Sequence, residues 1–173
     1  MCSVQLRPDI LTPRLALRPL EPQDAPELAR LIDDPDIARM TTRIPHPYGL
    51  KDADGFIARV RKDEAKVFAI QPYGGHLAGV IGFQDDGPTP EMGYWLGRPY
   101  WGRGYATEAG KGLIAWAERR WGKRALLSSH FADNPASGRV LDKLGFLYTG
   151  EVRKRPSLAR GEPVDTRMMV WLA

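Results

Sequence analysis

Residues 91–120 read EMGYWLGRPYWGRGYATEAGKGLIAWAERR, and this stretch decides the fold. It starts with a β-prone run at 92–96, continues through a turn rich in glycine, and takes on helical spacing after Gly104. The first turn of a helix carries free backbone N–H groups and the positive end of the helix dipole. Because Gly102 and Gly104 have no side chains, an anionic group can come close to those donors. The sequence therefore predicts an anion site formed by the backbone amides of Arg103, Gly104, Tyr105, Ala106 and Thr107.

Two phosphate-binding motifs do not fit this turn. The P-loop pattern GxxxxGK[ST] fails because Gly112 follows Lys111 where Ser or Thr is required, and because position 105 is tyrosine. The dinucleotide fingerprint needs a glycine or alanine where Thr107 stands, and the next β-prone run, 124–130, has no acidic residue for a ribose. The anion site is therefore of another kind.

The rest of the chain alternates between helical and β-prone segments, with segment 33–48 expected as a short helical turn and loop and segment 153–163 as a loop. A helix at 134–144 has clear ends, since Asn134 can cap it and Gly145 can take the left-handed position after it. The order of elements predicts an α+β sandwich around one sheet, in a single domain spanning 1–173. The other predicted elements are strands at 14–20, 67–71, 77–83, 91–96, 124–130, 146–152 and 166–172, and helices at 22–32, at 51–64 and after Gly104.

The composition excludes several classes of protein. With 43% hydrophobic and 27% charged residues, wholesale disorder is excluded. No apolar stretch approaches the roughly 18 residues that span a bilayer, and MCSVQLRPDI does not resemble a secretory leader, so we expect a cytoplasmic protein without a membrane partner. One cysteine (Cys2) and three dispersed histidines (His46, His76 and His130), expected in turns or at the surface, argue against a metal site. The net charge of +4 suits a phosphorylated ligand, and without an aromatic–basic stripe nucleic-acid binding is not favoured.

Two motifs resemble those of a known family. WGRGYA at 101–106 resembles the Q/R-x-x-G-x-G/A loop of the GNAT N-acetyltransferase superfamily, with Trp101 at the Q/R position, Gly104 as the middle glycine and Ala106 as the final small residue. The longer string GYWLGRPYWGRGYATEA resembles the branch that contains the RimJ and RimL ribosomal-protein N-terminal acetyltransferases. NPASGRVLDKLGF at 134–146 is similar to that branch's N-x-x-S-x-x-x-L-x-K-x-G-F helix. The order of elements from 14 to 172 also agrees with this fold.

The resemblance implies a mixed, mostly antiparallel twisted sheet flanked by helices, in which strands 92–96 and 124–130 run parallel and splay apart. It also implies acetyl-coenzyme A as co-substrate, without a metal. The pyrophosphate of acetyl-coenzyme A would lie on the glycine loop, and its pantetheine would pair with the backbone of 94–96. A backbone N–H near Leu96 would polarise the acetyl carbonyl. The residues expected to contact the cofactor are Tyr94, Trp95, Leu96, Arg98, Trp101, Gly102, Arg103, Gly104, Tyr105, Ala106, Thr107 and Asn134.

The implied reaction is direct attack of a neutral amine on the thioester. Glu91 is the candidate base, directly or through water, with an exposed strand-start glutamate as the alternative. Many GNAT enzymes carry a tyrosine where this chain has Leu141, so Ser137 is the candidate group for the departing thiolate, with a helix-surface serine as the alternative. At pH 7, deprotonating an N-terminal amine of pKa about 8 costs roughly 1.4 kcal/mol, against roughly 4.6 kcal/mol for a lysine near 10.4.

The acceptor is left open by the sequence. A peptide N-terminus and a small-molecule amine, such as an antibiotic in a detoxification reaction, both suit the fold, and a non-catalytic coenzyme A sensor is the alternative from another class. The acceptor site is expected to be formed by segments 33–48, 51–64 and 153–163, the least patterned parts of the chain. A homodimer is one of the oligomeric states left open.

Overall fold

The computed structural model describes residues 10–64 and 66–173, which form an eight-stranded sheet with helices on both faces. The strands are β1 (Ile10–Leu11), β2 (Leu15–Pro19), β3 (Val67–Pro72), β4 (Gly79–Gln84), β5 (Glu91–Leu96), β6 (Ala125–Phe131), β7 (Leu147–Ser157) and β8 (Glu162–Leu172). The helices are α1 (Ala25–Ile32), α2 (Pro35–Ala38), α3 (Leu50–Lys62), α4 (Tyr105–Trp121) and α5 (Pro135–Lys143), with short 3-10 turns at Pro22–Asp24 and Arg98–Tyr100. Cys2 and the MCSVQLRPDI segment up to residue 9 lie outside the described residues.

The sheet has the strand order β1-β2-β3-β4-β5-β6-β8-β7. Neighbouring strands are antiparallel, except that β5 and β6 run parallel. The chain reaches β6 from β5 through α4, because a parallel strand requires a crossover connection. The mostly antiparallel sheet with one parallel central pair, expected from the resemblance, is confirmed.

Each face of the sheet packs against its own helices, because successive strand side chains point to opposite faces. On β5, Met92 joins the core under α4 and α5, whereas Trp95 joins the core under α1 and α3. Strand β5 therefore separates two sides of the molecule. The first core includes Leu17, Ile81, Leu113, Leu126 and Phe146, and the second includes Leu28, Ile57, Ala69 and Val80.

Helix α5 has the ends that the sequence predicts. The Asn134 side chain accepts a hydrogen bond from the Ser137 amide at 3.3 Å, and Gly145 has a φ of 90°. The amide of Phe146 donates to the Leu141 carbonyl at 3.0 Å, which closes the helix. These local signals fix where α5 begins and ends, and its buried residues, Gly138 and Leu141, define the side that packs against the sheet.

Two sequence expectations are wrong. Segment 153–163 is not a loop, because β7 and β8 continue through it as a hairpin with a tip at 158–161. Its charged and proline-rich sequence reads as a loop, but the edge strand β7 is exposed along almost its whole length and tolerates such residues. His130 is not at the surface: it is 6% exposed in β6, its Nδ1 donates to the Phe131 carbonyl at 2.8 Å, and its Nε2 lies 2.9 Å from the Tyr148 hydroxyl.

Candidate active site

Strands β5 and β6 pair at one position and then diverge. The single register pair is Glu91 with Leu127, where the Leu127 amide donates to the Pro90 carbonyl at 2.9 Å. One step further, the Ser128 hydroxyl reaches the Met92 carbonyl at 2.8 Å, so a side chain replaces the strand-to-strand bond. Beyond Met92 no further register pair joins the two strands, and we call the gap between them the cleft.

The backbone of β5 points hydrogen-bonding groups into this cleft. The amide of Gly97 donates at 2.8 Å to the carbonyl of Ala78, the residue before β4, which sets the alternation along β5. Tyr94 and Leu96 therefore direct their N–H and C=O groups away from β4, towards the diverging β6. Within the described residues, the N–H groups of both and the Tyr94 carbonyl have no backbone partner, whereas the Leu96 carbonyl accepts from the Trp101 indole at 2.8 Å. The free groups are those to which an extended ligand adds as a strand.

The glycine loop forms a second set of free donors, the amides of residues 102–107, which we call the amide cradle. Gly102 and Gly104 have φ angles of 72° and 77°, in the left-handed region that favours glycine. The first intrahelical bond is donated by Glu108 to the Gly104 carbonyl at 3.1 Å, and no described residue accepts from the cradle amides. Helix α4 therefore presents its positive end and its unpaired donors together, as an anion requires.

Arg14 supports the edge of the amide cradle and was not found from the sequence. Its Nη1 donates to the Arg103 carbonyl at 2.9 Å and its Nε to Glu108 at 2.6 Å. Burial alone would raise the pKa of the Glu108 carboxyl, but hydrogen bonds from Thr12 and from the backbone and side chain of Arg14 lower it. Because 94 residues separate Arg14 from Glu108, no local pattern identifies this pair.

Arg98 and Trp101 lie between the cleft and α2. The Arg98 guanidinium donates to Asp34 at 2.8 Å and to Asp36 at 2.6 Å, and it lies 4.8 Å from the centroid of the Trp101 ring. The hydrogen bond from Arg98 lowers the pKa of the Asp34 carboxyl. The expected phosphate contacts of Arg98 and Arg103 stay predictions. In this structure Arg98 is engaged by carboxylates, and Arg103 lies over the Tyr100 ring at 5.9 Å.

Ser137 and Tyr94 meet across the cleft on the α5 side. The Ser137 Oγ lies 3.0 Å from the Tyr94 hydroxyl, and burial raises the pKa of Tyr94. The sequence singles out both residues but not their contact, which depends on the packing of α5 against β5. Asn134, at the start of the same helix, uses its side chain to cap the helix, and its contact with pantetheine stays a prediction.

Glu91 lies on the opposite side of the sheet, the side that α1 and α3 cover. Its two carboxylate oxygens accept from Arg155 at 2.6 and 3.0 Å, and one of them also accepts from the Ser129 hydroxyl at 3.0 Å. Such a bidentate pair fixes the orientation of the carboxylate. The role of Glu91 as a base stays a prediction, and any base action there has to work in the presence of Arg155.

The hairpin tip closes over the segment that follows α2. The amide of Leu158 donates to the Thr42 carbonyl at 3.1 Å, and the Arg160 Nε donates to the Arg39 carbonyl at 2.7 Å. Arg160 also forms a two-point ion pair with Asp133 at 2.8 and 3.0 Å. Two of the three segments expected to form the acceptor site, 33–48 and 153–163, therefore meet on one side of the cleft.

Two kinds of feature are absent from residues 10–64 and 66–173. No group of three or more His, Cys, Asp or Glu side chains that could hold a metal ion occurs there. None of the helices in these ranges has the length and apolar character needed to cross a membrane.

Free strand N–H groups in the cleft lie next to the unpaired donors at the start of α4, and this arrangement suits an extended ligand that carries a phosphate. The family model for the acetyltransferase (GNAT) domain matches residues 14–147, so the chain belongs to the GNAT acetyltransferase family. The protein is an acetyl-coenzyme A-dependent N-acetyltransferase.

Curated relatives match over most of their length. The uncharacterised N-acetyltransferase p20 of Bacillus licheniformis is 28% identical over 172 residues, covering 94% of this chain and 95% of p20. YkkB of Bacillus subtilis is 30% identical over 154 residues, covering 84% of this chain and 88% of YkkB.

Solved structures show the same fold. An acetyltransferase (GNAT family) from Bacillus anthracis gives a TM-score of 0.84 at 23% identity, covering 95% of this chain and 98% of that one. RimL, a ribosomal L7/L12 alpha-N-protein acetyltransferase solved with coenzyme A, gives 0.83 at 20% identity with the same coverages. MccE, a microcin C7 self-immunity acetyltransferase solved with acetyl-CoA and AMP, gives 0.81 at 21% identity, covering 99% and 100%. The expected GNAT family and fold are confirmed, and the structural neighbours include an enzyme of the expected RimJ/RimL kind.

Proposed function

We propose that this protein transfers the acetyl group of acetyl-coenzyme A to a primary amine by direct attack in a ternary complex. A peptide or protein N-terminus is the preferred acceptor, and a small-molecule amine is the second candidate. The observation that carries the proposal is the position of the free amides of Tyr94 and Leu96 in the cleft, next to the amide cradle. A cytoplasmic location for the reaction stays a prediction.

The backbone supplies the binding and the polarisation in this mechanism. The cradle amides hold the pyrophosphate, and the groups of Tyr94 and Leu96 that face the cleft align the pantetheine as an added strand. A backbone N–H at the end of β5, near Leu96, donates to the thioester carbonyl oxygen. Because the strand fixes this donor in advance, it stabilises the charge that develops on the oxygen in the transition state.

The hydroxyls of Ser137 and Tyr94 serve the leaving group. Burial raises the pKa of Tyr94, which keeps its phenol protonated and able to donate through Ser137. The departing sulfur gains negative charge as its bond to the acetyl carbon breaks, and a proton or a hydrogen bond from this pair stabilises it. The amine loses its proton to water or to Glu91.

The preference for an α-amine follows from the surroundings of Glu91. Because Arg155 donates to both oxygens of Glu91, this carboxylate is poorly placed to take a proton from the acceptor. An amine with a low pKa needs less help with deprotonation than lysine, and it therefore reacts more easily. RimL, an alpha-N-protein acetyltransferase, has the same fold, which supports this acceptor class. MccE is the comparison that keeps the small-molecule alternative open.

The charges on the acceptor side argue against a polycationic small molecule. Such a substrate requires an acidic pocket, but four carboxylates that border this side are each paired with an arginine. These carboxylates are Asp34, Asp36, Glu91 and Asp133.

An acceptor screen tests the proposal. Thiol release from acetyl-coenzyme A is measured with a peptide bearing a free N-terminus, the same peptide with its N-terminus blocked and a lysine inside, small amines, and an aminoglycoside. We expect the free N-terminus to give the highest kcat/KM. Coenzyme A binding without thiol release on any amine would instead favour the sensor.

The amide cradle is tested by Gly104→Asp. A carboxylate in the cradle repels the pyrophosphate, and aspartate is strained at a φ of 77°, so we expect coenzyme A binding to be lost. Gly122→Ala, at a φ of 67° after the opposite end of α4, controls for the backbone strain. Normal coenzyme A binding by Gly104→Asp would show that the cradle does not hold the pyrophosphate.

A further inference from the structure

Trp101 is a large aromatic residue with 43% of its surface exposed, yet its indole N–H makes a hydrogen bond within the protein. The indole Nε1 donates at 2.8 Å to the Leu96 carbonyl, the last carbonyl of β5. That carbonyl points to the side of β5 from which β6 has diverged. The indole therefore stands at the mouth of the cleft, where β5 ends and the turn to the amide cradle begins.

Arg98 holds the indole in this position. Its guanidinium lies 4.8 Å from the centre of the Trp101 ring, within the range of a cation–π contact. The same guanidinium is fixed by Asp34 and Asp36, at the start of α2. A continuous chain of contacts thus runs from α2 on the acceptor side, through Arg98 and Trp101, to the end of β5.

The bond to Leu96 changes what β5 offers to a ligand. Without it, the strand would present the N–H and C=O of both Tyr94 and Leu96 as two equivalent pairs of groups. With it, the Leu96 carbonyl is occupied, and the strand presents one complete pair at Tyr94 followed by the lone N–H of Leu96. An added strand of pantetheine length can then pair in one register.

We propose that Trp101, held by Arg98, is a positioning residue that fixes the end of β5 and selects the register in which pantetheine pairs with it. This proposal rests on the proposed function, because it assumes that pantetheine lies in the cleft. The position that Trp101 occupies carries Gln or Arg in the resembling motif. These two side chains share with tryptophan an N–H donor, and they share neither its size nor its aromatic ring. The donor is therefore the property that the position requires.

Three variants test the role of the donor. Trp101→Phe keeps a ring and removes the N–H, Trp101→Gln restores an N–H without a ring, and Trp121→Phe is the matched control at the far end of α4, where the ring packs against Phe83. Each is compared with the wild type by calorimetric titration with coenzyme A, by steady-state kinetics and by thermal unfolding. The loss of one hydrogen bond in a binding site corresponds to a change in Kd of roughly tenfold.

We expect Trp101→Phe to raise the Kd for coenzyme A and the KM for acetyl-coenzyme A by roughly tenfold, with the KM for the amine within about twofold. Trp101→Gln should recover at least half of that loss on a logarithmic scale, and Trp121→Phe should lower the Tm without changing the Kd. A Trp101→Phe protein that binds coenzyme A like the wild type, or a Trp101→Gln protein no better than Trp101→Phe, overturns the proposal. If the wild type binds coenzyme A and Gly104→Asp does not, either of these two Trp101 results overturns the role of Trp101 and leaves the proposed function standing. If the wild type itself fails to bind coenzyme A, the proposed function and the role of Trp101 both fall.

Discussion

Single side chains in this site act in pairs, and the hydroxyls of Tyr94 and Ser137 are the pair closest to the chemistry proposed for the thiolate. We expect Ser137→Ala to lower kcat by about tenfold, because one charge-assisted hydrogen bond to the leaving sulfur is lost. Tyr94→Phe should have a similar effect. The double variant should be little worse than either single one, since groups that act as a unit are not additive.

The Ser137 and Tyr94 variants are compared by kcat, by the Kd for coenzyme A and by Tm. The Kd should stay within about twofold of the wild type, because the backbone of β5 carries the proposed binding. If Ser137→Ala turns over at the wild-type rate, the hydroxyl pair has no part in the departure of the thiolate.

At the scale of single residues, the sequence predicts residues whose role is local and misses those whose role depends on tertiary contacts. Gly104, Asn134 and Gly145 can be predicted because a left-handed turn or a helix cap is decided within four residues. Arg155 cannot, because it reaches Glu91 over 64 residues of sequence, from a segment that reads as a loop. Arginine and glutamate occur in many exposed segments, so their types alone do not identify a partner.

Strand pairing next to the cleft depends on close contact between β4 and β5. A Cβ added to Gly79 would overlap the Trp95 carbonyl oxygen and lie 3.0 Å from the Leu96 Cα, both of them backbone atoms that cannot rotate away. We therefore expect Gly79→Ala to lower the free energy of unfolding by about 3 kcal/mol, the upper end of the usual range for overpacking.

The matched control for Gly79→Ala is Gly55→Ala in α3. Among the described residues, no heavy atom beyond the adjacent residues and the surrounding helix backbone lies within 4 Å of the Cβ that this change adds. Alanine has the higher helix propensity, so this variant should gain about 0.5–1 kcal/mol. Urea unfolding of both variants measures the difference. Equal stability of Gly79→Ala and the wild type would mean that β4 and β5 are not as close at Gly79 as described.

The hairpin of β7 and β8 is the second element whose contacts decide function. Arg160 ties its tip to Asp133 and to the Arg39 carbonyl, so Arg160→Ala should loosen the acceptor side and leave the amide cradle intact. We expect the KM for the amine to rise by about three- to tenfold while the Kd for coenzyme A stays constant, a change that corresponds to one lost ion pair of about 1 kcal/mol.

Lys66→Ala is the control, because Lys66 forms an ion pair with Asp85 beside β4, outside the three segments expected to form the acceptor site. It should leave both constants unchanged. An unchanged amine KM in Arg160→Ala would show that the hairpin tip does not border the acceptor.

The hairpin also shows why elements differ in how well they can be predicted. Helices α4 and α5 follow from apolar spacing and caps, which a single sequence displays. The long strands β7 and β8 carry charges such as Lys154 and Asp165, which pair across the hairpin at 2.8 Å and are read in sequence as a solvated loop. Apolar spacing does not reveal the cleft either, because two diverging strands have the same composition as two paired ones. The cleft is predicted by the resemblance to the family alone.

Across the whole molecule, arginine–carboxylate pairs connect parts that the sheet does not join. Arg14, the residue before β2, pairs with Glu108 in α4, Arg98 ties the turn after β5 to α2, and Arg160 ties the hairpin to the segment after β6. Most of these pairs are partly exposed, so each one is screened by solvent and adds little stability. Their combined effect is to fix the elements that border the cleft relative to one another.

The same pairs make the stability of the protein depend on acid. The pKa values of several carboxyls lie below their ordinary values of 3.8 for aspartate and 4.5 for glutamate. In Asp24 burial opposes this shift, but hydrogen bonds from Arg18 and from the Glu21 amide outweigh it, and in Asp34 and Asp133 the bond to arginine is the largest cause. A carboxyl whose pKa is lower in the folded state binds more protons when unfolded. Its contribution is therefore complete above the ordinary value and is lost as the pH falls through the folded value.

We accordingly expect the free energy of unfolding to be level from pH 7 to about pH 5 and to fall steeply below about pH 4, with a smaller fall in high salt because exposed pairs are screened. Urea unfolding at a series of pH values measures the curve. Asp24→Asn should be less stable than the wild type at pH 7 and should flatten the acid limb, because it removes one of the groups that take up a proton on unfolding. Asp54→Asn, at an exposed carboxyl in α3 that makes no hydrogen bond or ion pair with any described residue, should leave both features unchanged. An acid limb of the same slope in Asp24→Asn and the wild type would mean that this pair is not formed in solution.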